Sequence, residues 1–208
     1  MLSEIAPGGP VIVAVLRGIA PDAITDVAQT LLDAGIRAIE IPLNSPDPLT
    51  SIEKLARLDA KDCVFGAGTV LSMADVACVK AAGGKLIVSP NTNADVITAA
   101  VGASLLPMPG FATATEAFAA IVAGAQHLKL FPAQTYGTGH LKALKAVLPP
   151  DVAIYAVGGV GADDIAAWRQ AGVTGFGFGS ELFKPSYSRK EIETRARRIV
   201  EAAGAVQS

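Results

Sequence analysis

Hydrophobic and polar positions along the chain alternate between two patterns. Short β-branched runs give way, after a small loop, to stretches with apolar residues at helical spacing, usually stopped by glycine. The first run, Val11–Arg17, leads through Pro21-Asp22 into Ile24, Val27, Ala28, Leu31 and Leu32, closed by Gly35. The second, Ile36–Pro42, precedes a helix bearing Leu49, Ile52, Leu55 and Ala56, with Ser45-Pro46 expected as N-cap and first helical residue. Val64–Thr69 is followed by a capping-box-like start from Ser72 to Asp75 and a stop at Gly83.

The same unit recurs five more times. Lys85–Pro90 precedes a helix from Asn93 to Val101, and Ser104–Pro109 precedes one opened by Thr113 and Glu116. His127–Pro132 leads to a helix around Leu141, Leu144 and Leu148, ended by Pro149-Pro150. Ala153–Val157 precedes Asp163–Ala171, and Gly175–Gly179 precedes a helix from Arg189 to Ala203. Eight β/α units in this length predict an α/β fold, a closed (β/α)8 TIM barrel forming one domain over 1–208. An open doubly wound sheet fits less well. It would more often carry a Gly-rich dinucleotide loop after its first strand, where this chain has Arg17-Gly18-Ile19.

Composition narrows the function classes. The chain is 51% hydrophobic and 17% charged, enough to bury a core. Its 17 basic residues against 19 acidic ones argue against a nucleic-acid surface. Cys63 and Cys78 lie in apolar stretches and read as two buried free thiols. His127 and His140 belong to no HxxxH or HExxH pattern, so no metal site built by the protein is expected, and both read as packing or surface residues. Met1-Leu2-Ser3-Glu4 has no basic n-region, and Gly102, Pro107, Pro109 and Gly110 interrupt the longest uncharged stretch. The expectation is a cytoplasmic protein without a membrane partner. Phe118, Phe131 and Trp168 read as core rather than as a stacking platform.

In such barrels the chemistry sits at the C-terminal ends of the strands. Those ends carry Arg17, Glu40, Thr69, Asn91, Lys129, Gly158-Gly159 and Gly179-Ser180. Any one of them alone could be an ordinary rim residue; their joint placement favours function. In His127–Phe131 the alternation sets Leu128 and Leu130 on the helix-covered face and turns Lys129 inward. A snorkelling lysine is one reading. The other is a desolvated amine, its pKa lowered beside a cation such as Arg17, that attacks a carbonyl to form a Schiff base. Glu40, a lone charge in a β-branched run, is either an ion-pair partner of these cations or a proton shuttle. Asn44 and Thr69 are neutral rim groups. The two glycine loops, Val157–Gly161 and Gly177–Ser180, suit backbone binding of phosphate beside a helix N-terminus.

The segments Leu16–Gly18, Glu40–Pro46, Gly66–Val70, Lys129–Pro132 and Val157–Val160 resemble the class I 2-keto-3-deoxy-6-phosphogluconate/6-phosphogalactonate aldolases along nearly the whole chain. The resemblance implies Lys129 as Schiff-base lysine and Glu40 as acid/base, with Arg17 and Thr69 at the substrate carboxylate. It implies Gly158, Gly159, Gly179 and Ser180 at the phosphate, a homotrimer, and no metal or organic cofactor. Asn44 stands where the gluconate branch usually has Arg, and Val157 where it has Thr, which is the pattern of the galactonate branch. These two residues are the candidates for C4-epimer specificity. Two other readings use the same barrel: a phosphate-ligand-binding protein with a spent site, and an isomerase that needs no Schiff-base lysine.

Overall fold

The computed structural model describes residues 9–58, 60 and 62–204. The reading of Met1–Glu4 lies outside them. Within them the chain runs β1 (Val11–Val15), α1 (Ile24–Asp33), β2 (Ala38–Pro42), α2 (Pro48–Ala56), β3 (Val64–Gly68), α3 (Met73–Ala81), β4 (Leu86–Val88) and α4 (Ala94–Gly102). It continues through β5 (Leu106–Met108), β6 (Gly110–Phe111), α5 (Ala114–Val122), β7 (His127–Leu130), α6 (Ala133–Lys145) and β8 (Ala153–Val157). A 3-10 turn at Ala162–Asp164 enters α7 (Ile165–Gln170), and β9 (Gly175–Phe178) and α8 (Arg189–Gly204) complete the order.

Every pairing between neighbouring strands is parallel, in the order β5-β4-β3-β2-β1-β9-β8-β7-β6. The two ends of this order, β5 and β6, are consecutive in the chain and separated only by Pro109. The result is an α/β barrel, nearly closed, with nine parallel strands. Closure between the first and last strands sets Val11 opposite Gly175 and Val13 opposite Gly177.

The two-residue period of the strands sorts their side chains into two separate apolar layers. Ile12, Ala14, Ile39, Ile41, Leu128, Leu130, Ile154 and Phe176 face outward and pack with the helices. Val11, Val13, Ala38, Leu86, Val88, Met108, Tyr155 and Val157 fill the barrel interior. That interior closes because β9 gives up two side chains. A Cβ on Gly175 would strike the Tyr155 ring at 2.7 Å, and one on Gly177 would strike Val157 at 2.7 Å.

Several local expectations are corrected. The α2 helix begins at Pro48 with Asp47 as N-cap, not at Ser45-Pro46. Ser45 is buried, and its Oγ accepts from the Gly18 amide at 2.9 Å, tying the β1 and β2 loops together. The run Ser104–Pro109 forms only short β5, because Pro109 has no N–H to continue a ladder. Neither thiol is buried: Cys63 is half-buried and Cys78 exposed. Phe118 and Phe131 are also exposed rather than core, whereas Trp168 is buried as expected. The expected capping box of Ser72 with Asp75 forms on α3, and Thr113 and Glu116, expected to open α5, form a second one.

Candidate active site

A cavity of about 590 Å³ opens at the C-terminal ends of the strands. Arg17, Glu40, Thr69, Lys129, Val157, Gly158, Gly159, Gly179 and Ser180 all line it, so residues far apart in the chain converge as predicted. Asn91 is exposed and does not line it. Asn44 does not line it either, but reaches it through Arg17, whose Nη1 donates to Asn44 Oδ1. His127 and His140 lie elsewhere: His127 Nδ1 pairs with the Tyr155 hydroxyl at 3.1 Å, and His140 Nε2 with the Ala112 carbonyl at 2.6 Å.

Lys129 is buried, with 6% of its surface exposed, so it does not snorkel. Its backbone amide donates to the Pro109 carbonyl at 2.8 Å, and its Nζ lies 4.7 Å from the centre of the Phe131 ring. Burial lowers the ammonium to about 8; Glu40 opposes this shift and Arg17 adds to it. A neutral amine is therefore accessible near neutral pH, which is what a carbonyl addition needs.

Glu40 sits beside it with 4% exposure. Burial lifts its carboxyl to about 7, against the pull of Lys129 and Arg17. Its Oε2 is buried and has no hydrogen-bond partner among the described residues. An unpaired buried carboxylate oxygen is costly to keep, and a group poised between its two protonation states can give or take a proton. The carboxylate fits because its neighbour lacks a side chain. A Cβ built on Gly68 would fall on both carboxylate oxygens.

Arg17 is exposed at the rim, and its Nη2 donates to Thr69 Oγ1 at 3.5 Å. Thr69 has φ 57°, the left-handed region that a β-branched residue enters only under constraint. The constraint is visible on both sides. Gly68 O accepts from the Leu43 amide at 2.8 Å, and the Val70 amide donates to Val88 O at 3.1 Å.

The opposite end of the cavity is formed by the loops after β8 and β9. Gly158 and Gly159 have φ of 94° and 77°, the second turning the chain where a Cβ would meet Gln134 at 2.6 Å. Among the described residues, the amides of Gly159, Val160, Gly179 and Ser180 donate to no backbone carbonyl. The Gly161 amide is already taken by Asp164 Oδ2 at 2.8 Å. With α7 only six residues long, the anion-binding capacity here belongs to loop amides rather than to a helix end.

Sequence reasoning missed Phe131, Pro90, Asp163, Asp164 and Glu181, all of which line the cavity. The alternation that turned Lys129 inward also turned Phe131, and that signal was available. No group of three His, Cys, Asp or Glu suited to a metal occurs among the described residues, and none of their helices is long and apolar enough to cross a membrane.

The family model for KDPG and KHG aldolase matches residues 8–198. The chain is 44% identical to the 2-dehydro-3-deoxy-6-phosphogalactonate aldolase of Escherichia coli (strain K12), over 92% of this chain and 93% of that one. It is similar to a solved structure described as native KDPGal, with TM-score 0.92 and 44% identity over 94% and 95% of the two chains. It is also similar to the KDPG aldolase of Legionella pneumophila, which holds pyruvate as a covalent carbinolamine; there the TM-score is 0.80, with 25% identity over 100% and 98%.

Proposed function

Since the chain belongs to the KDPG and KHG aldolase family and is a carbon–carbon lyase, we propose that it cleaves 2-dehydro-3-deoxy-6-phospho-D-galactonate to pyruvate and D-glyceraldehyde 3-phosphate. The observation that carries the mechanism is the buried Lys129 beside the unpaired buried carboxylate of Glu40 in one cavity. A binding protein with a spent site has no use for such a pair. An isomerase would not need the amine.

The Lys129 amine adds to the C2 ketone, and loss of water, with Glu40 supplying the proton, leaves an iminium. Glu40, directly or through one water, then takes the C4 hydroxyl proton. The C3–C4 bond breaks, its electron pair passes to the iminium, and glyceraldehyde 3-phosphate leaves. Protonation of the enamine at C3 and hydrolysis release pyruvate and regenerate the amine. Arg17 and Thr69 hold the carboxylate, Arg17 being steadied by Asn44. The free amides of the β8 and β9 loops hold the phosphate, whose binding fixes the reacting bond. Val157 lines the cavity beside these loops and sets the C4 preference together with Asn44.

The eightfold count follows if β5 and β6 are one strand interrupted at Pro109, giving a single-domain (β/α)8 barrel. We place it in the cytoplasm as a homotrimer acting without a cofactor. The exposed Phe118 and Val122, four residues apart on α5, give an apolar face suited to self-association. Borohydride with pyruvate should inactivate the enzyme and leave one reduced pyruvyl group on Lys129. Unchanged mass and full activity would overturn the Schiff-base reading. Lys129→Arg should fold and be inactive, because a guanidinium is not deprotonated in a protein.

A further inference from the structure

The charges lining the cavity are the wrong sign for its proposed occupant. Arg17 and Lys129 are the cations of its lining, against the carboxylates of Glu40, Asp163, Asp164 and Glu181. Three of these carboxylates stand at the glycine-loop end, where the phosphate dianion of the proposed substrate would sit. Each of the three is engaged. Asp164 accepts from the Gly161 amide. Arg198 Nη2 donates to Asp163 Oδ1 at 2.8 Å and Oδ2 at 2.6 Å. Arg195 Nη1 donates to the Glu181 carbonyl at 2.9 Å and lies 3.9 Å from its carboxylate.

Both arginines come from one face of α8, and α8 is anchored at both ends. Arg189 Nε donates to Thr30 Oγ1 of α1 at 3.0 Å, and Arg169 Nη1 donates to the Ala203 carbonyl at 3.1 Å. The Arg195 guanidinium also lies 4.5 Å from the centre of the Tyr187 ring, whose hydroxyl donates to the Ser180 carbonyl at 3.3 Å. Asp163 and Arg198 are too exposed for their pair to matter much to stability, at 87% and 56% of side-chain surface. What the pair does change is the field at the mouth of the cavity.

Resting on the aldolase reading, we infer that Arg198 and Arg195 are positioning residues for phosphate acceptance. They neutralise Asp163 and Glu181, so that uncharged loop amides can bind a dianion there. They never touch the substrate. They decide how strongly the enzyme prefers a phosphorylated acid over the same acid without phosphate.

The test is the ratio of kcat/KM for 2-dehydro-3-deoxy-6-phosphogalactonate to that for the unphosphorylated acid, with inorganic phosphate as competitive inhibitor. Arg198→Gln exposes the Asp163 charge. The ratio should fall about three- to tenfold at low salt, the scale of one unit charge against a dianion roughly 6–13 Å away in water. Phosphate inhibition should weaken alike, and both effects should fade as ionic strength passes about 0.1 M. Asp163→Asn should keep or raise the ratio, and Asp163→Asn with Arg198→Gln should return it to the wild-type value. A mere strut predicts the opposite, since either single change breaks the pair equally. A wild-type ratio in Arg198→Gln, or an equal loss in Asp163→Asn, overturns the inference. If wild type cleaves neither acid and Lys129 takes no pyruvyl group, the aldolase reading has failed instead, and phosphate affinity measured calorimetrically still reports on the two charges.

Discussion

Gly68→Ala should disable the enzyme without unfolding it. Position 68 is the end of β3, opposite Pro42 of β2, and Glu40 lays its carboxylate across the space a side chain would fill. Oε1 stands 2.5 Å from the Cβ position and Oε2 closer still, whereas ordinary contact begins at 3.4 Å, so the carboxylate must retreat by about 1.6 Å to clear its nearer oxygen. The displaced atoms are the free end of a flexible side chain, and Gly68 is not among the positive-φ glycines. The backbone therefore tolerates Ala, and the melting temperature should stay close to wild type. A misplacement of that size costs catalysis roughly 100-fold, or about 2.7 kcal/mol of barrier. It should appear in kcat, measured by coupling released pyruvate to NADH oxidation, with KM little changed because the carboxylate and phosphate contacts are untouched. Glu40→Asp, shorter by one methylene, should recover part of the loss when combined with Gly68→Ala, while slowing the native enzyme. A Gly68→Ala enzyme within threefold of wild type would refute the claim that this missing side chain positions Glu40.

Further expectations concern titration, specificity and stability. The rate of borohydride trapping with pyruvate should rise with pH as Lys129 loses its proton, with a midpoint near 8. Because the Glu40 charge raises the lysine's pKa, Glu40→Gln should move that limb to lower pH, and a limb that stays put or moves upward argues against the pairing. Val157→Thr should shift kcat/KM toward the gluconate epimer, roughly 5- to 150-fold if a hydroxyl gains its partner. An unchanged ratio would mean that the preference is set elsewhere. Asn44→Ala frees Arg17 and should raise KM several-fold with kcat nearly constant, which steady-state kinetics will show. Glu40 keeps its proton to higher pH in the folded protein than in the unfolded chain. The folded state thus binds more protons between about 4.5 and 7, and this carboxylate's contribution to stability falls as pH rises through that window. In thermal melts, Glu40→Gln should flatten that part of the pH dependence.

The strands and the inward turn of Lys129 and Glu40 were legible because barrel strands alternate strictly, and lone charges stand out in β-branched runs. The convergence of Arg17, Thr69 and the glycines was legible for the same reason, since strand ends in a barrel share one rim. Side chains in the loops were not. The placement of Phe131 depends on the Gly158 turn, where an added Cβ would come within 3.1 Å of its ring, and no local pattern encodes that closeness. Asp47 displaced Ser45 as a cap because Ser45 is held by Gly18, a bond across 27 positions. Asp163 and Glu181 read as ordinary helix-start and loop acids until α8 is packed behind them.

β1 finds β2 early, but because its other neighbour is β9, its second edge waits for nearly the whole barrel to be made. At roughly 5–20 residues per second of synthesis, about 8–30 s separate the emergence of β1 from that of β9. Until then one side of Val11–Val15 is an apolar strand edge with nothing to pair it, the kind of surface on which nascent chains aggregate and chaperones act. Arg17 and Gly179 meet across the cavity only after that closure, and α8 follows still later. A prematurely terminated product therefore holds the lysine strand but no working site.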